Sequence, residues 1–246
     1  MLKIFNCDLH VHTCLSPCGD LDMHPRALVE AAVASCLDVI AICDHNASEN
    51  VPYVIKAAQG KNLKIIPGME ITSSEEVHLI ALFESMADLS AIQATVYRHL
   101  AGVNDENRFG IQAIVNETGE VEGFNNKLLI GATDIPLNEI LDLVHEQKGL
   151  AIASHIDRES FSVLGQLGFI DENFDFDALE ISALLDLKKA RAQYATLNRY
   201  AFITSSDAHY LRDIGKVFTK IMMAEPSIAE LKMAFQNQNG RHILES

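Results

Sequence analysis

The chain has 246 residues, with 34 Asp plus Glu against 19 Lys plus Arg and a formal charge of −15, a balance that excludes a basic coat for nucleic acid. With 48% hydrophobic and 22% charged residues it is a folded protein with a sizeable core, neither disordered nor fibrous. No apolar run reaches the roughly 18 residues a membrane-spanning helix needs, and MLKIFNCDLHVHT reads as a first strand instead of a secretory signal, so a soluble, cytoplasmic protein is expected.

Residues 3–8 form a short apolar run, 25–35 a helical stretch that Asp22 is placed to cap, and 38–43 a second apolar run ending at Asp44 and His45. A helix over 48–59 follows, then a strand over 63–67 opening onto Glu70 and a strand over 77–83 beginning beside His78. The middle reads as helical over 89–100, 106–118 and 135–147, with 119–132 as a polar connection. Residues 149–154 predict a strand ending at His155, 178–181 a strand, 187–197 a helix, and 201–205 a strand ending at Asp207 and His209. A last strand and helix occupy 217–223 and 228–235. Continuous apolar runs such as VIAICD, LAIASH and AFITSSD suit parallel strands covered on both faces, in an open sheet or in a barrel. A barrel would gather the C-terminal ends of its strands into one ring. No Pro/Gly/Ser-rich linker divides the chain, so residues 1–246 are expected to be one domain.

All five cysteines fall within the first 43 residues, and their odd number argues against a disulfide scaffold. Cys14 and Cys18 lack a second thiolate pair at zinc-finger spacing and read as small loop or core residues. The histidines carry the stronger signal. His10 and His12, two apart on an extended backbone, share one face. His45, Glu70, His78, His155, Asp207 and His209 all sit at the ends or starts of predicted strands. A lone histidine is more often a satisfied core or capping residue, but so coherent a set exceeds the roughly four ligands of a closed structural site and points to several ions with open positions. Imidazole with carboxylate suits zinc, manganese or iron better than calcium. His99, His145 and His242 lie apart and are assigned no metal.

These residues together resemble the PHP (polymerase and histidinol phosphatase) family of metallohydrolases over essentially the whole chain. The resemblance rests on His10-x-His12, Asp44-His45, Gly68-x-Glu70, His78, His155 and Asp207-x-His209. It implies an α/β fold, a distorted seven-stranded (βα) TIM-like barrel, as a single catalytic domain with a small helical insertion around 89–135. It also implies two or three divalent ions. One would take His10, His12, Glu70 and Asp207, and Glu70 would bridge to a second held by His78 and His155. A third would use His45 and His209, completed by Asp20 from a loop longer than in the simplest members. His24 is the competitor for that place, although its position before Pro25 has a plain capping explanation.

Metals about 3.5 to 4 Å apart lower the pKa of a shared water and hold phosphoryl oxygens. Neither a G-x-S-x-G elbow nor a Walker A lysine motif is present. The expected function is therefore metal-dependent hydrolysis of a phosphate ester, a small phosphomonoester or a nucleotide phosphodiester, by metal-activated water. The alternative is a non-catalytic metal-binding or regulatory domain. Arg158 could fork onto a phosphate or form an ordinary surface pair with Asp157 or Glu159. Asp44 could orient a neighbouring imidazole or water. A small phosphorylated substrate or short nucleotide is the expected partner. The acidic balance and the lack of a basic tract argue against stable binding of duplex DNA, and no membrane partner is expected.

Overall fold

The computed structural model describes residues 1–244, most of them organised around one nine-stranded sheet. In chain order the sheet strands are β1 (Lys3–Val11), β2 (Val39–Ile42), β3 (Lys64–Thr72) and β4 (His78–Leu82). β5 (Ala113–Val115) and β6 (Val121–Phe124) form a separate hairpin. β7 (Leu150–Ala153), β8 (Ala178–Ile181), β9 (Ala201–Thr204), β10 (Thr219–Met223) and β11 (His242–Leu244) complete the sheet. Its spatial order is β11-β10-β1-β2-β3-β4-β7-β8-β9. β1, β2 and β3 pair in parallel, as do β7, β8 and β9, whereas β4 runs antiparallel to both its neighbours.

The sheet nearly closes on itself. The N-terminal half of β1 pairs with β10, but Val11 forms a parallel bridge to Ala208, beyond the end of β9. His12 N–H donates to Ala208 O at 3.0 Å, and Thr204 N–H donates to Thr219 Oγ1 at 2.8 Å. The barrel-like α/β fold is as expected, but the strand count is nine instead of seven. The predicted final strand, β10, turns back antiparallel on β1, and the short β11 adds to it.

Side-chain alternation divides the core in two. Cys7, Leu9, Val39, Ala41, Ile66, Ile80, Leu82, Ile152, Ala178 and Ile203 pack together on the inner face of the sheet. The alternate residues Ile40, Ile42, Ile65, Met69, Leu79 and Leu179 pack outward with helical residues. Those helices include α1 (Pro25–Ala34), α2 (Val51–Ala57), α3 (Met86–His99) and α5 (Leu137–Glu146). α1 is capped by His24, whose Nδ1 accepts from Ala27 N–H, and not by Asp22. Among the described residues no helix is long and apolar enough to cross a membrane.

The segment expected to be helical over 106–118 is mostly not. Only α4 (Glu106–Phe109) forms, ended by Gly110 at φ 94°, where a Cβ would meet Pro17 O at 2.7 Å. The chain then enters the β5–β6 hairpin, turned at Asn116, whose N–H donates to Glu120 O. Asn50 fixes this hairpin to the barrel: its side chain donates to Ala113 O and accepts from Val115 N–H. α6 (Val163–Leu167), α7 (Leu187–Gln193) and α8 (Ile228–Phe235) complete the helices.

One tie far from the strand ends carries a pH signature. His145 near the end of α5 reaches Asp177 Oδ2 at 2.9 Å, and the same oxygen accepts from Ala151 N–H. The hydrogen bond to Asp177 raises the His145 pKa; burial opposes the rise and the charges of Asp177 and Asp175 add to it. Raised affinity for a proton in the folded state means that this stabilisation is complete below the unfolded imidazole pKa and is lost as pH rises through the folded one. Thermal denaturation should therefore show melting temperature falling as pH rises from slightly acid to slightly alkaline. In His145→Gln that part of the slope should vanish, and an identical slope in both proteins would refute the assignment.

Candidate metal centre

The ring of ligands begins with an irregularity in β1. Asp8 pairs with Ile40 and Val11 with Ile42, so Leu9 and His10 together stand opposite Ala41 in a β-bulge. Leu9 packs in the inner layer, and the extra residue brings His10 and then His12 to that face as well. Both imidazoles are fully buried with their Nε2 atoms 3.1 Å apart. Their other nitrogens are engaged: His10 Nδ1 lies 3.0 Å from Glu180 Oε2, and His12 Nδ1 lies 2.9 Å from Ser16 Oγ. Donation from Nδ1 leaves each Nε2 lone pair turned toward the cluster, the tautomer a metal requires.

Glu70 on β3 is the hub. Its Oε1 lies 3.1 Å from His78 Nδ1, 3.4 Å from His10 Nε2 and 3.5 Å from His155 Nε2. Its Oε2 lies 3.1 Å from His45 Nδ1 and 3.6 Å from His12 Nε2. Asp207 Oδ1 approaches His12 Nε2 at 3.2 Å and His10 Nε2 at 3.4 Å. Despite this crowding, Glu70 Oε1, His45 Nδ1 and His155 Nδ1 are buried without a hydrogen-bond partner. Buried polar atoms are ordinarily satisfied. A cation among them would meet the need of Glu70 Oε1 and His45 Nδ1, so the donor set fits divalent metal.

The electrostatics agree. Burial works against the Glu70 carboxylate, but His78 and His10 hold its pKa well below the usual carboxylate range. Burial likewise opposes Asp207, which His10 and His12 keep ionised. At His10 burial is outweighed by the charges of Glu180, Asp207 and Glu70, which raise its pKa, whereas burial and His209 push His12 down.

Three overlapping groups of ligand atoms arise: His10, His12 and Glu70; His45, Glu70 and His78; and His12, His45 and His209. The structure thus brings together His10, His12, His45, Glu70, His78, His155, Asp207 and His209. Asp20 is not among these groups: its Oδ1 accepts from Asp22 N–H and its own N–H donates to His209 O. His24 caps α1. Asp44 lies beneath the ligands, accepting from Thr13 N–H, Thr13 Oγ1 and Ser16 Oγ at 2.6–2.7 Å. Through Ser16 it steadies His12. Arg158 pairs with neither of its neighbours in sequence; its Nη1 lies 2.7 Å from Asp207 Oδ2, with the side chain 40% exposed. The cluster opens into a cleft of about 580 Å³ that Arg158, Phe161 and Leu184 also line.

Two residues of this neighbourhood, Glu180 and Asp8, went unread in the sequence, and a third, Cys18, was read there as a small loop or core residue. Glu180 orients His10 and accepts His155 N–H at 3.0 Å. Its signal is a single carboxylate inside the apolar strand Ala-Leu-Glu-Ile, where an unpaired charge is costly. Asp8 accepts from Ser206 and Gly215 N–H groups and so fixes the loop bearing Asp207 and His209, while burial pushes its pKa up to about 6. Cys18 lines the cleft beside His45 and His209.

Comparison with known proteins places this geometry. The PHP domain model matches residues 8–200, and a PHP-associated model matches residues 187–239. The uncharacterized protein YqxK of Bacillus subtilis is 31% identical over 106 residues, 41% of this chain and 27% of that protein. The 5'-3' exoribonuclease Rnm of Salmonella typhimurium is 25% identical over 245 residues, 81% of this chain and 82% of the relative. The lesion-specific endonuclease Q of Pyrococcus furiosus superposes with a TM-score of 0.73 at 17% identity, covering 98% of this chain; the match spans only 58% of that protein. A second endonuclease Q structure, with the same score and coverage, holds a 27-mer duplex substrate with an abasic lesion at the active site. The expectation that duplex DNA is set aside is thereby overturned. Net charge summed over a surface does not fix the potential in one cleft, where cations and a single arginine set the local sign. With the family model spanning most of the sequence and the His, Asp and Glu ligands converging at one end of a barrel, the chain belongs to the PHP domain family.

Proposed function

We propose that residues 1–246 form a single catalytic domain that hydrolyses phosphodiester bonds of nucleic acid or nucleotides with two or three zinc, manganese or iron ions. The observation that carries this reading is Glu70 Oε1, buried and without a hydrogen bond among three imidazole nitrogens at 3.1–3.5 Å. His10, His12, Glu70 and Asp207 would hold one ion; Glu70, His78 and His155 a second; His45 and His209 part of a third. Bound cations of this kind supply a water acidic enough to attack near neutral pH and positive charge for the phosphoryl oxygens.

The chain's own groups then divide the remaining work. Arg158, half released to solvent at the cleft, exchanges its Asp207 contact for two phosphate oxygens. Asp44 and Ser16 keep His12 in its ligand tautomer. A diester is favoured over a small monoester by the rim: Phe161 is 39% exposed and stacks on His78 at 4.7 Å, and Leu184 stands almost fully exposed beside it. Aromatic platforms of this sort bind bases irrespective of sequence. The nuclease names of the relatives point the same way.

The test is a panel assay of metal-loaded protein on single-stranded DNA, RNA, abasic duplex and aryl phosphomonoesters. Diester turnover should exceed monoester turnover, and Arg158→Ala should raise KM for the preferred substrate by roughly ten- to a hundred-fold, the worth of a charge-assisted hydrogen bond. Unchanged KM and kcat would remove Arg158 from the site. Bound metal with no turnover of any phosphoester would favour the non-catalytic alternative.

A further inference from the structure

We infer that Asp157 is a positioning residue for the substrate: it clamps the loop bearing Arg158 and Phe161 to the segment bearing Leu184, so that phosphate and base are held by one rigid wall of the cleft. The inference rests on the phosphodiesterase reading above and assigns the group that organises its substrate contacts.

Arg158 and Phe161 lie on the connection between β7 and α6, and Leu184 on the connection between β8 and α7; all three line the cleft. Asp157 joins the two connections. Its Oδ1 accepts from Ser182 N–H and its Oδ2 from Ser182 Oγ, both at 2.7 Å. Ser182 is 3% exposed, and its Oγ in turn accepts from Leu184 N–H at 3.3 Å. Both oxygens of the carboxylate are thereby engaged across the cleft wall, and the neighbouring Arg158 guanidinium turns instead to Asp207 at the opening. Asp157 belongs to none of the three groups of ligand atoms.

The ends of the first connection are wound tightly. His155 has φ 29° and Phe161 φ 57°, left-handed conformations that a residue with a side chain keeps only where its surroundings fix it. At one end Ile156 N–H donates to Glu180 O, and at the other His78 N–H donates to Phe161 O, both at 2.9 Å. The backbone of Arg158 is fixed on either side, its N–H donating to His155 O and its carbonyl accepting from Ser162 Oγ. α6 seals the turn, since a Cβ on Gly165 would lie 2.3 Å from Glu159 O. With the peptide groups held this firmly, the direction of the Arg158 side chain follows from how the loop sits on the barrel. Between the two ends Asp157 sets that attitude.

The sign of one kinetic change separates a clamp from a plain surface charge. A carboxylate whose charge the substrate feels repels phosphate, so its removal would lower KM. A clamp predicts the opposite. In the metal-loaded full chain, Asp157→Ala should raise KM for the preferred diester roughly ten-fold, since a small displacement of a binding group is costly, and should leave kcat within about two-fold, the pattern of lost uniform binding. Elemental analysis should find its metal content unchanged. Asp157→Asn, which can still accept from Ser182 N–H and hydrogen-bond Ser182 Oγ, should keep KM near the wild-type value. Ser182→Ala, which loses one of the two bonds, should raise KM in the same direction by a smaller factor, and it carries the test if Asp157→Ala does not fold. Because the clamp acts through Arg158, the double variant Asp157→Ala/Arg158→Ala should fall well short of the product of the two single effects. A KM that is unchanged or lowered, effects that multiply fully, or metal lost from Asp157→Ala would each overturn the inference. A metal-loaded wild-type protein that turns over no phosphoester would overturn the phosphodiesterase reading and this inference with it.

Discussion

Glu70→Gln should strip the protein of bound metal and lower phosphoester turnover by roughly 10³-fold or more. The carboxylate stands between five imidazoles from β1, the β2 end, β4 and the β7 end. An amide of equal size keeps the packing but removes the charge that makes a cluster of neutral imidazoles attractive to two neighbouring cations. Each cation is worth several kcal/mol of transition-state stabilisation, and about 1.4 kcal/mol corresponds to a factor of ten in rate. Elemental analysis after gel filtration, with kinetics on the best substrate of the panel, checks both halves. A variant that retains full metal and full turnover would remove Glu70 from the centre of the site.

Glu180→Ala should weaken metal binding by about ten- to a hundred-fold, the usual cost of losing a partner behind a ligating histidine. Glu180 touches no candidate cation position. It accepts from His10 Nδ1 and from His155 N–H, and so sets the tautomer of one ligand and the backbone position of another. Because the ligands themselves survive, excess metal should restore much of kcat in Glu180→Ala but not in Glu70→Gln. Titration against a competing chelator separates the two variants. Unchanged metal affinity in Glu180→Ala would show that His10 is held well enough by Glu70 and Asp207 alone.

How much of this was legible in the sequence depends on where each residue sits. His45, Glu70, His155, Asp207 and His209 lie at or near strand ends, where an apolar run meets a polar residue and the break is plain. Glu180 lies inside a strand, and its partner is 170 residues away. Cys18 was set aside as a loop or core residue, yet it lines the cleft with His45 and His209, a neighbourhood that spacing along the chain does not announce. The 106–118 segment read as a helix because apolar residues such as Ile111, Ile114 and Val115 are spaced as on one, yet Gly110 and the turn at Asn116–Gly119 divide it, and Ile114 and Val115 have the branched side chains of a strand. The last strand, β11, is three residues long and had no run to announce it.

The extra residue in β1 has a consequence for how this site tolerates change. With Cys7 and Leu9 facing inward, strict alternation would turn His10 and His12 out against the helices. Deleting Leu9 would straighten the strand and leave both rings inward, because His10 would then follow Asp8 opposite Ala41, whereas regular pairing with every residue kept would turn both rings out though every ligand in the sequence is still present. The first motif is thus a property of strand phase as much as of residue identity, and a graft of His-x-His onto another barrel must place both histidines on the inner face, by choice of position on a regular strand or by a bulge ahead of them.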